Sequence, residues 1–245
     1  MPRRQGSTEP RPPNAGTNGP GAAPTQAPSV RDWIGPVAAI AILTGIWQLV
    51  ALVIDDTPIV PGPLDVARAL LALVGMDPRF LPYLARTLVA AVLGFAVAGA
   101  AAQLLGRLLR RSRATRLGGL TLAAVPVMGL IPVFIIWFGF GPDLTAFFAA
   151  ALALAGMLAR TTATPFDWHD GLPLGMALAF HGAIAADLVL HVGGSGYFLQ
   201  EAIARLDFAR AIAVVVAFAI ASCGLTLLTA EVVDRFRARI DRDAG

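Results

Sequence analysis

Any chemistry in this chain must come from the few ionisable or backbone-breaking residues set in apolar sequence. Asp187 and His191 stand four residues apart in one such stretch, with His181 on another face of it. A charge in that setting is costly unless it meets a partner or a water-filled path. Two roles are therefore open: lining a route for a solute, or forming a structural pair between Asp187 and His191 at i,i+4. Asp187 is about five residues, hence roughly 8 Å, from the outer end of its stretch, close enough to reach hydration by snorkelling. Gly171, Gly175, Ala179 and Ala183 continue its four-residue step and make a smooth strip for a second helix, so Asp187 is expected to face protein rather than lipid. Elsewhere Pro126 and Pro132 each remove a backbone donor. A helix there is expected to kink or unwind, as happens beside transport paths and also in ordinary packed helices.

What is missing narrows the chemistry further. The sequence has no lysine, so the Gly-x-x-x-x-Gly-Lys-Ser/Thr loop that cradles nucleotide phosphates is absent, and the chain by itself is not a P-loop ATPase. The 3 histidines, His169, His181 and His191, have no cysteine at metal-ligand spacing and no nucleophile in a recognisable motif. No catalytic residue, metal site or cofactor is expected. The single cysteine, Cys223, excludes an intrachain disulfide and reads as a small packing residue inside an apolar run.

The elements that must position these residues are six apolar stretches: Ile34–Ile54, Thr87–Gly106, Leu117–Gly139, Leu144–Ala159, Gly171–Val192 and Ala211–Ala230. Most reach the roughly 20 residues that a bilayer-crossing helix needs, and the fourth does so only if it continues through Arg160 to Ala163. With both termini in the cytoplasm, the only outer arginines are Arg68, Arg79, Arg86, Arg205 and Arg210, out of 19. That satisfies the positive-inside rule. The expected fold is an all-α, polytopic membrane protein with about six transmembrane helices, in agreement with 56% hydrophobic and only 14% charged residues over 245 positions. The net charge of +3 sits at helix ends, where anionic lipid headgroups meet it, and this layout speaks against nucleic acid as a partner.

Residues 1–30 are rich in Pro, Gly, Ala, Thr and Asn and are expected to form a disordered cytoplasmic tail, leaving 31–245 as the transmembrane domain. A cleaved signal peptide is not expected, because the first apolar run begins only near Ile34. On the outer side, Pro58–Pro63 leads into an amphipathic segment with apolar Leu64, Ala67, Leu70, Leu71 and Val74, expected to lie along the membrane surface. A second such segment follows Gly193-Gly194-Ser195-Gly196, with Tyr197, Phe198, Leu199, Ala202, Ile203 and Leu206 on one stripe. It reads as a short helix packed on the outer mouth, or as a gate.

Several runs, in order, resemble the permease subunits of binding-protein-dependent ABC importers of the nitrate, sulfonate, taurine and thiamine-precursor type, from about Val60 to Asp241. Val60-Pro61-Gly62-Pro63-Leu64-Asp65-Val66 is similar to the family's Leu-Pro-x-Pro-x-x-Val, and Leu84-Ala85-Arg86-Thr87-Leu88 with Gly94-Phe95 to its Ser-Leu-x-Arg and Gly-Phe helix. Pro126-Val127-Met128-Gly129-Leu130-Ile131-Pro132, closing with Trp137-Phe138-Gly139-Phe140-Gly141, resembles the most recognisable run in these permeases. Ala186-Asp187 followed by Gly194-Ser195-Gly196-Tyr197 matches Ala-Glu and Ser-Gly-x-Gly-Tyr, with aspartate for glutamate. The resemblance implies a permease in the bacterial inner membrane that forms half of a homo- or heterodimer. Its partners would be a separate ABC ATPase, an extracytoplasmic solute-binding protein and a second permease chain, and its cargo a small anionic or heterocyclic solute. Pro126, Pro132, Trp137, Asp187 and His191 are then the candidate translocation path.

One departure from the family is large. Where these permeases carry a long cytoplasmic loop with a Glu-Ala-Ala-x-x-x-Gly helix that docks on the ATPase, this chain has only Thr161–Asp170. Phe166, Asp167 and Trp168 are a candidate reduced ATPase contact, although aromatic residues at a helix end also serve as interfacial anchors. A degenerate, non-transporting membrane subunit that pairs with or regulates an intact permease is the alternative function. A proton-driven carrier using Asp187 and His191 calls for an inverted repeat that the helices do not show.

Overall fold

The computed structural model describes residues 30–54, 59–109, 121, 126–139, 141–163, 168–190 and 193–243. They belong to two units that part inside the first helix, residues 1–45 and 46–245. The tail expected over residues 1–30 lies outside the described residues except for Val30, which begins α1 (Val30–Ile54). Within the first unit, Thr44 Oγ1 donates back to the Ile40 carbonyl at 2.8 Å. The side chains of Ile34, Val37, Ile40 and Leu43 are exposed and apolar, as a lipid-facing helix requires.

In the second unit Trp47 Nε1 donates to the Pro61 carbonyl at 3.1 Å and fixes the turn that starts α2 (Pro63–Met76). Pro63 occupies the first helical position, where its missing N–H costs nothing, and Asp65 Oδ2 accepts the Gly62 N–H at 3.3 Å. Val66 and Leu73 pack inward, while Leu64, Leu71 and Val74 of the expected apolar stripe stay exposed. After a corner at Asp77–Arg79 come α3 (Phe80–Leu109), a 3₁₀ turn (Val127–Leu130), α4 (Ile131–Phe138), α5 (Pro142–Ala163), α6 (Trp168–Leu190), α7 (Gly196–Ala204) and α8 (Phe208–Asp243).

Among the described residues, four helices are long and apolar enough to cross a bilayer: Val37–Ile54, Phe80–Leu105, Gly171–Leu190 and Phe208–Ile240. The protein is thus a polytopic helical membrane protein. The fourth expected span does continue as one helix through Arg160 to Ala163, but its apolar part, Leu144–Leu158, is shorter than the others. The third is broken, as the kink or unwinding expected at Pro126 and Pro132 allows. Over its described part it is a 3₁₀ turn followed by an 8-residue helix. Pro132 stands in the first turn of α4, where a proline is tolerated, and Gly139 ends that helix at φ 75°, a left-handed conformation that favours glycine.

Small residues let α3, α5 and α6 close on one another. Gly171 and Gly175 are buried, Ala179 and Ala183 are wholly so, and Met157 of α5 covers Gly175. A Cβ at Gly182 would lie 2.7 Å from the Phe148 carbonyl oxygen, and one at Gly94 would lie 2.6 Å from both the Ala149 Cβ and the Ala150 nitrogen. The obstacle at Gly94 is largely backbone, which cannot step aside. Gly94→Val is therefore expected to destabilise the detergent-solubilised protein by about 1–3 kcal/mol, read as a lower midpoint in a thermal melt, whereas Gly99→Val, where nothing lies within 4 Å, leaves it nearly unchanged.

The two segments that the arginine pattern places outside meet in space: Arg210 Nη2, in the first turn of α8, pairs with Asp77 Oδ2 at 3.0 Å. They lie on one side of the membrane together. Single cysteines at Met76 and Ala204, both exposed, in a Cys223→Ser background are expected to react with an impermeant maleimide from outside, and a cysteine at Ser112 is not. Outside labelling at Ser112 would reverse the expected orientation.

Candidate functional site

Asp187 ends up in a buried polar knot at one end of the bundle. It is 2% exposed, three residues before α6 ends. Thr87 Oγ1 of α3 donates to its Oδ2 at 2.5 Å, and Thr145 Oγ1 of α5 donates to its Oδ1 at 3.0 Å. Thr87 has one hydroxyl proton, and the shorter contact gives it to the carboxylate rather than to the Tyr83 carbonyl at 3.1 Å. Its two lone pairs then accept from Ser195, whose backbone N–H lies at 2.9 Å and whose Oγ lies at 3.0 Å. Thr87, Thr145 and Ser195 are all buried, at 1%, 4% and 0% exposure.

The chain that closes over this knot must be nearly free of side chains. A Cβ at Gly194 would fall within the Asp187 carboxylate, and one at Gly196 would lie 2.6 Å from the Leu188 nitrogen. The Gly-Ser-Gly run is thus a strap laid directly on Asp187, with Ser195 as its fastening. Beyond it, Phe198 packs edge-on against Phe80 and Tyr83, and Gln200 Nε2 donates to the Leu188 carbonyl.

Outside the knot lies an ionic cluster that ties the α2–α3 corner to α7 and α8. Arg79 and Arg210 share Asp77 Oδ2 at 3.2 and 3.0 Å, and the same arginines reach Glu201 Oε2 at 3.9 and 3.7 Å. Arg205 pairs with Glu201 at 2.7 Å, and the Arg79 and Arg210 guanidiniums sit 5.8 and 6.0 Å from the Phe198 ring centre. A cleft of about 520 Å³ opens beside it, lined by apolar Leu73 and Met76 and by charged Asp77, Arg79 and Arg210.

The other residues singled out in the sequence are scattered. Pro126, Pro132 and Trp137 are all exposed, and Trp137 joins Phe134, Phe138 and Phe147 in an aromatic cluster centred on Phe134, 4.7 Å from the Phe147 ring. Of the path candidates among the described residues, only Asp187 enters the knot. His191, Phe166 and Asp167 lie outside the described residues, and Trp168 begins α6. His181 is exposed, and its Nδ1 stands 2.7 Å from the Ala177 carbonyl oxygen of the preceding turn. Among the described residues, no group of three or more His, Cys, Asp or Glu side chains is placed to hold a metal ion. Thr87 and Thr145 were not singled out from the sequence. Their one signal is that each is a hydroxyl near the outer end of an apolar stretch.

Among the described residues, the geometry offers a sealed polar knot that ties α3, α5 and α6 together at one end of a multi-pass helical membrane protein. Comparison with known proteins points the same way. Over 206 residues the chain is 23% identical to a Bacillus subtilis (strain 168) protein provisionally named aliphatic sulfonates transport permease protein SsuC, a match covering 69% of this chain and 74% of that one. No protein-family model matches the chain, and no solved structure matches it.

Two outcomes follow from this geometry. Asp187→Ala leaves the Thr87 and Thr145 hydroxyls without their buried acceptor and is expected to cost about 2 kcal/mol or more, whereas Asp187→Asn, which keeps one acceptor oxygen, costs less. Melting midpoints and membrane abundance of the two variants check the order, and equal values for both and the parent would contradict it. In the ionic cluster, the Arg79 side-chain hydrogen bond holds the Asp77 carboxyl below its ordinary range, against the opposing effect of burial. A depressed folded-state pKa stabilises the fold above the unfolded-state value and is lost as pH falls through the folded one. Melting midpoints are therefore expected to drop below about pH 4, with a shallower drop in Asp77→Asn.

Proposed function

We propose that this chain is the membrane-spanning permease subunit of an importer powered by a separate ABC ATPase, and that it lies in the inner membrane of a bacterium with both termini in the cytoplasm. The observation that carries the proposal is the similarity to a sulfonate transport permease over most of both chains, in a protein whose own helices are of membrane-crossing length. On this reading the transported solute is a small organic anion of the sulfonate kind, delivered by an extracytoplasmic binding protein, and the path is completed by a second permease chain. The broken segment at Pro126–Gly139, with Pro126, Pro132 and Trp137 exposed, is the stretch offered to that path. Asp187 acts there by holding the outer helix ends, since its carboxylate is covered by its own neighbours.

A specific observation also favours the second reading, a subunit that pairs with an intact permease without transporting by itself. Helix α5 ends at Ala163 and α6 begins at Trp168, leaving only residues 164–167 between two antiparallel helices. A docked coupling helix of two turns needs about seven residues beyond those that turn the chain. The chain alone, reconstituted with the ATPase of its own system, is therefore expected to give little or no solute-stimulated ATP hydrolysis, and addition of an intact second permease chain to restore it. Solute-stimulated hydrolysis by a homodimer would show that Phe166, Asp167 and Trp168 form a working contact. Failure of any ATPase to co-purify with the chain from native membranes would remove the importer reading.

A further inference from the structure

The knot at Asp187 has the construction of a fastening rather than of a fixed core. We propose that Asp187, Thr87, Thr145 and Ser195 form a polar latch that keeps the outer ends of α3, α5 and α6 together, and that this latch opens and re-forms when the outer side of the protein opens. The proposal rests on reading the chain as a transport subunit, but its test does not require transport.

Three features carry it. First, the latch joins the parts that would have to separate: Asp187 on α6 is held by Thr87 from α3 at 2.5 Å and by Thr145 from α5 at 3.0 Å, and Ser195 adds the strap through Thr87. Second, its chemistry suits reversible parting. A buried apolar contact loses its whole driving force when water enters, whereas hydroxyls and a carboxylate trade protein partners for water ones at small net cost. The groups sit near the outer ends of their helices, with Thr145 on the fourth residue of α5 and Asp187 on the fourth from the end of α6, so water has a short way to come. One turn deeper the helices are locked by a different kind of contact, Gly182 against the Phe148 backbone and fully buried Ala183, which has no such substitute. Third, the strap and α7 lie between two left-handed residues, Gly193 at φ 76° and Leu206 at φ 56°. Leu206 pays for that conformation as a bulky residue. Gly193 gives the strap a joint on which to lift, and Gly194 and Gly196 leave no side chain to block its return onto Asp187.

The test uses the full-length protein in proteoliposomes, with Cys223→Ser and a reporter Leu190→Cys, buried with Leu144 of α5 one turn beyond Asp187 at the end of α6. With the latch intact the reporter is expected to react slowly with a membrane-impermeant maleimide. Thr87→Val, and separately Ser195→Ala, are expected to raise its labelling rate at least tenfold, while Thr87→Ser, which retains the hydroxyl, keeps it within about twofold of the parent. Each rate is read on protein that elutes as a single folded species. Unchanged rates in folded Thr87→Val and Ser195→Ala would overturn the proposal. So would failure of both variants to fold, since the cluster would then be a permanent part of the core. Loss of the importer reading through absence of an ATPase leaves these labelling outcomes standing, so the two failures are distinguishable.

Discussion

A carboxylate taken out of water near the end of a membrane helix has to be given donors, and one end of this helical bundle is arranged around that demand. Asp187 sits at 2% exposure, a threonine from α3 and a threonine from α5 donate to it, and the serine of the strap donates through both its backbone and its side chain to the first of these threonines. Each bond to a charged acceptor is worth about 1.5–3 kcal/mol, enough that the positions of three helix ends are set together rather than separately. The two glycines of the strap follow from the same demand, because no larger residue leaves the serine within reach. Outside this knot, the Asp77, Arg79, Glu201 and Arg210 cluster repeats the tie at the water boundary, where screening makes it weaker and acid can loosen it.

Below the knot the structure is held differently. Gly182 brings α6 against the α5 backbone at Phe148 and Ala149, Gly175 makes room for the Met157 side chain, and Gly94 brings α3 against the α5 backbone at Ala146 and Ala150. In lipid, where apolar side chains gain little by leaving one another's company for a neighbouring helix, this closeness is what dispersion needs. The side chains that do not fit the seam, such as Ile220 and Leu227 on α8, are left on the outside, apolar and exposed. An inner seam of small residues and an outer polar fastening give the bundle one region built to stay and one that water can enter.

Much of this was legible in the sequence, and the limits have physical causes. The apolar stretches, the small-residue strip and the preference of Asp187 for protein over lipid are all local or periodic properties, readable from spacing alone. The partners of Asp187 were not. A sequence reading looks for them one helical turn away and finds His191, whereas the donors that the fold supplies are 100 and 42 residues distant. Threonine gives no warning either, since it passes unremarked in an apolar helix by bonding its own backbone, as Thr226 and Thr229 do here. The third stretch shows a complementary limit. Pro126 and Pro132 signalled a break, but only the structure shows that Pro132 begins a short helix and that a left-handed Gly139 ends it. The shape of the link between α5 and α6, on which the reading of the ATPase contact turns, falls on residues 164–167, outside those described.

The claim on which the rest depends is that the strap is fastened to Asp187 through Ser195 and Thr87. Amide hydrogen exchange at Ser195, followed by mass spectrometry or by nitrogen-15 NMR in detergent, reads this directly, because its N–H donates to Thr87 Oγ1 at 2.9 Å. The account predicts protection of that amide well above that of an open loop and approaching that of the buried part of α6, with the protection lost in Asp187→Ala. Exchange of the Ser195 amide at the rate of an unstructured peptide in the parent protein would contradict it.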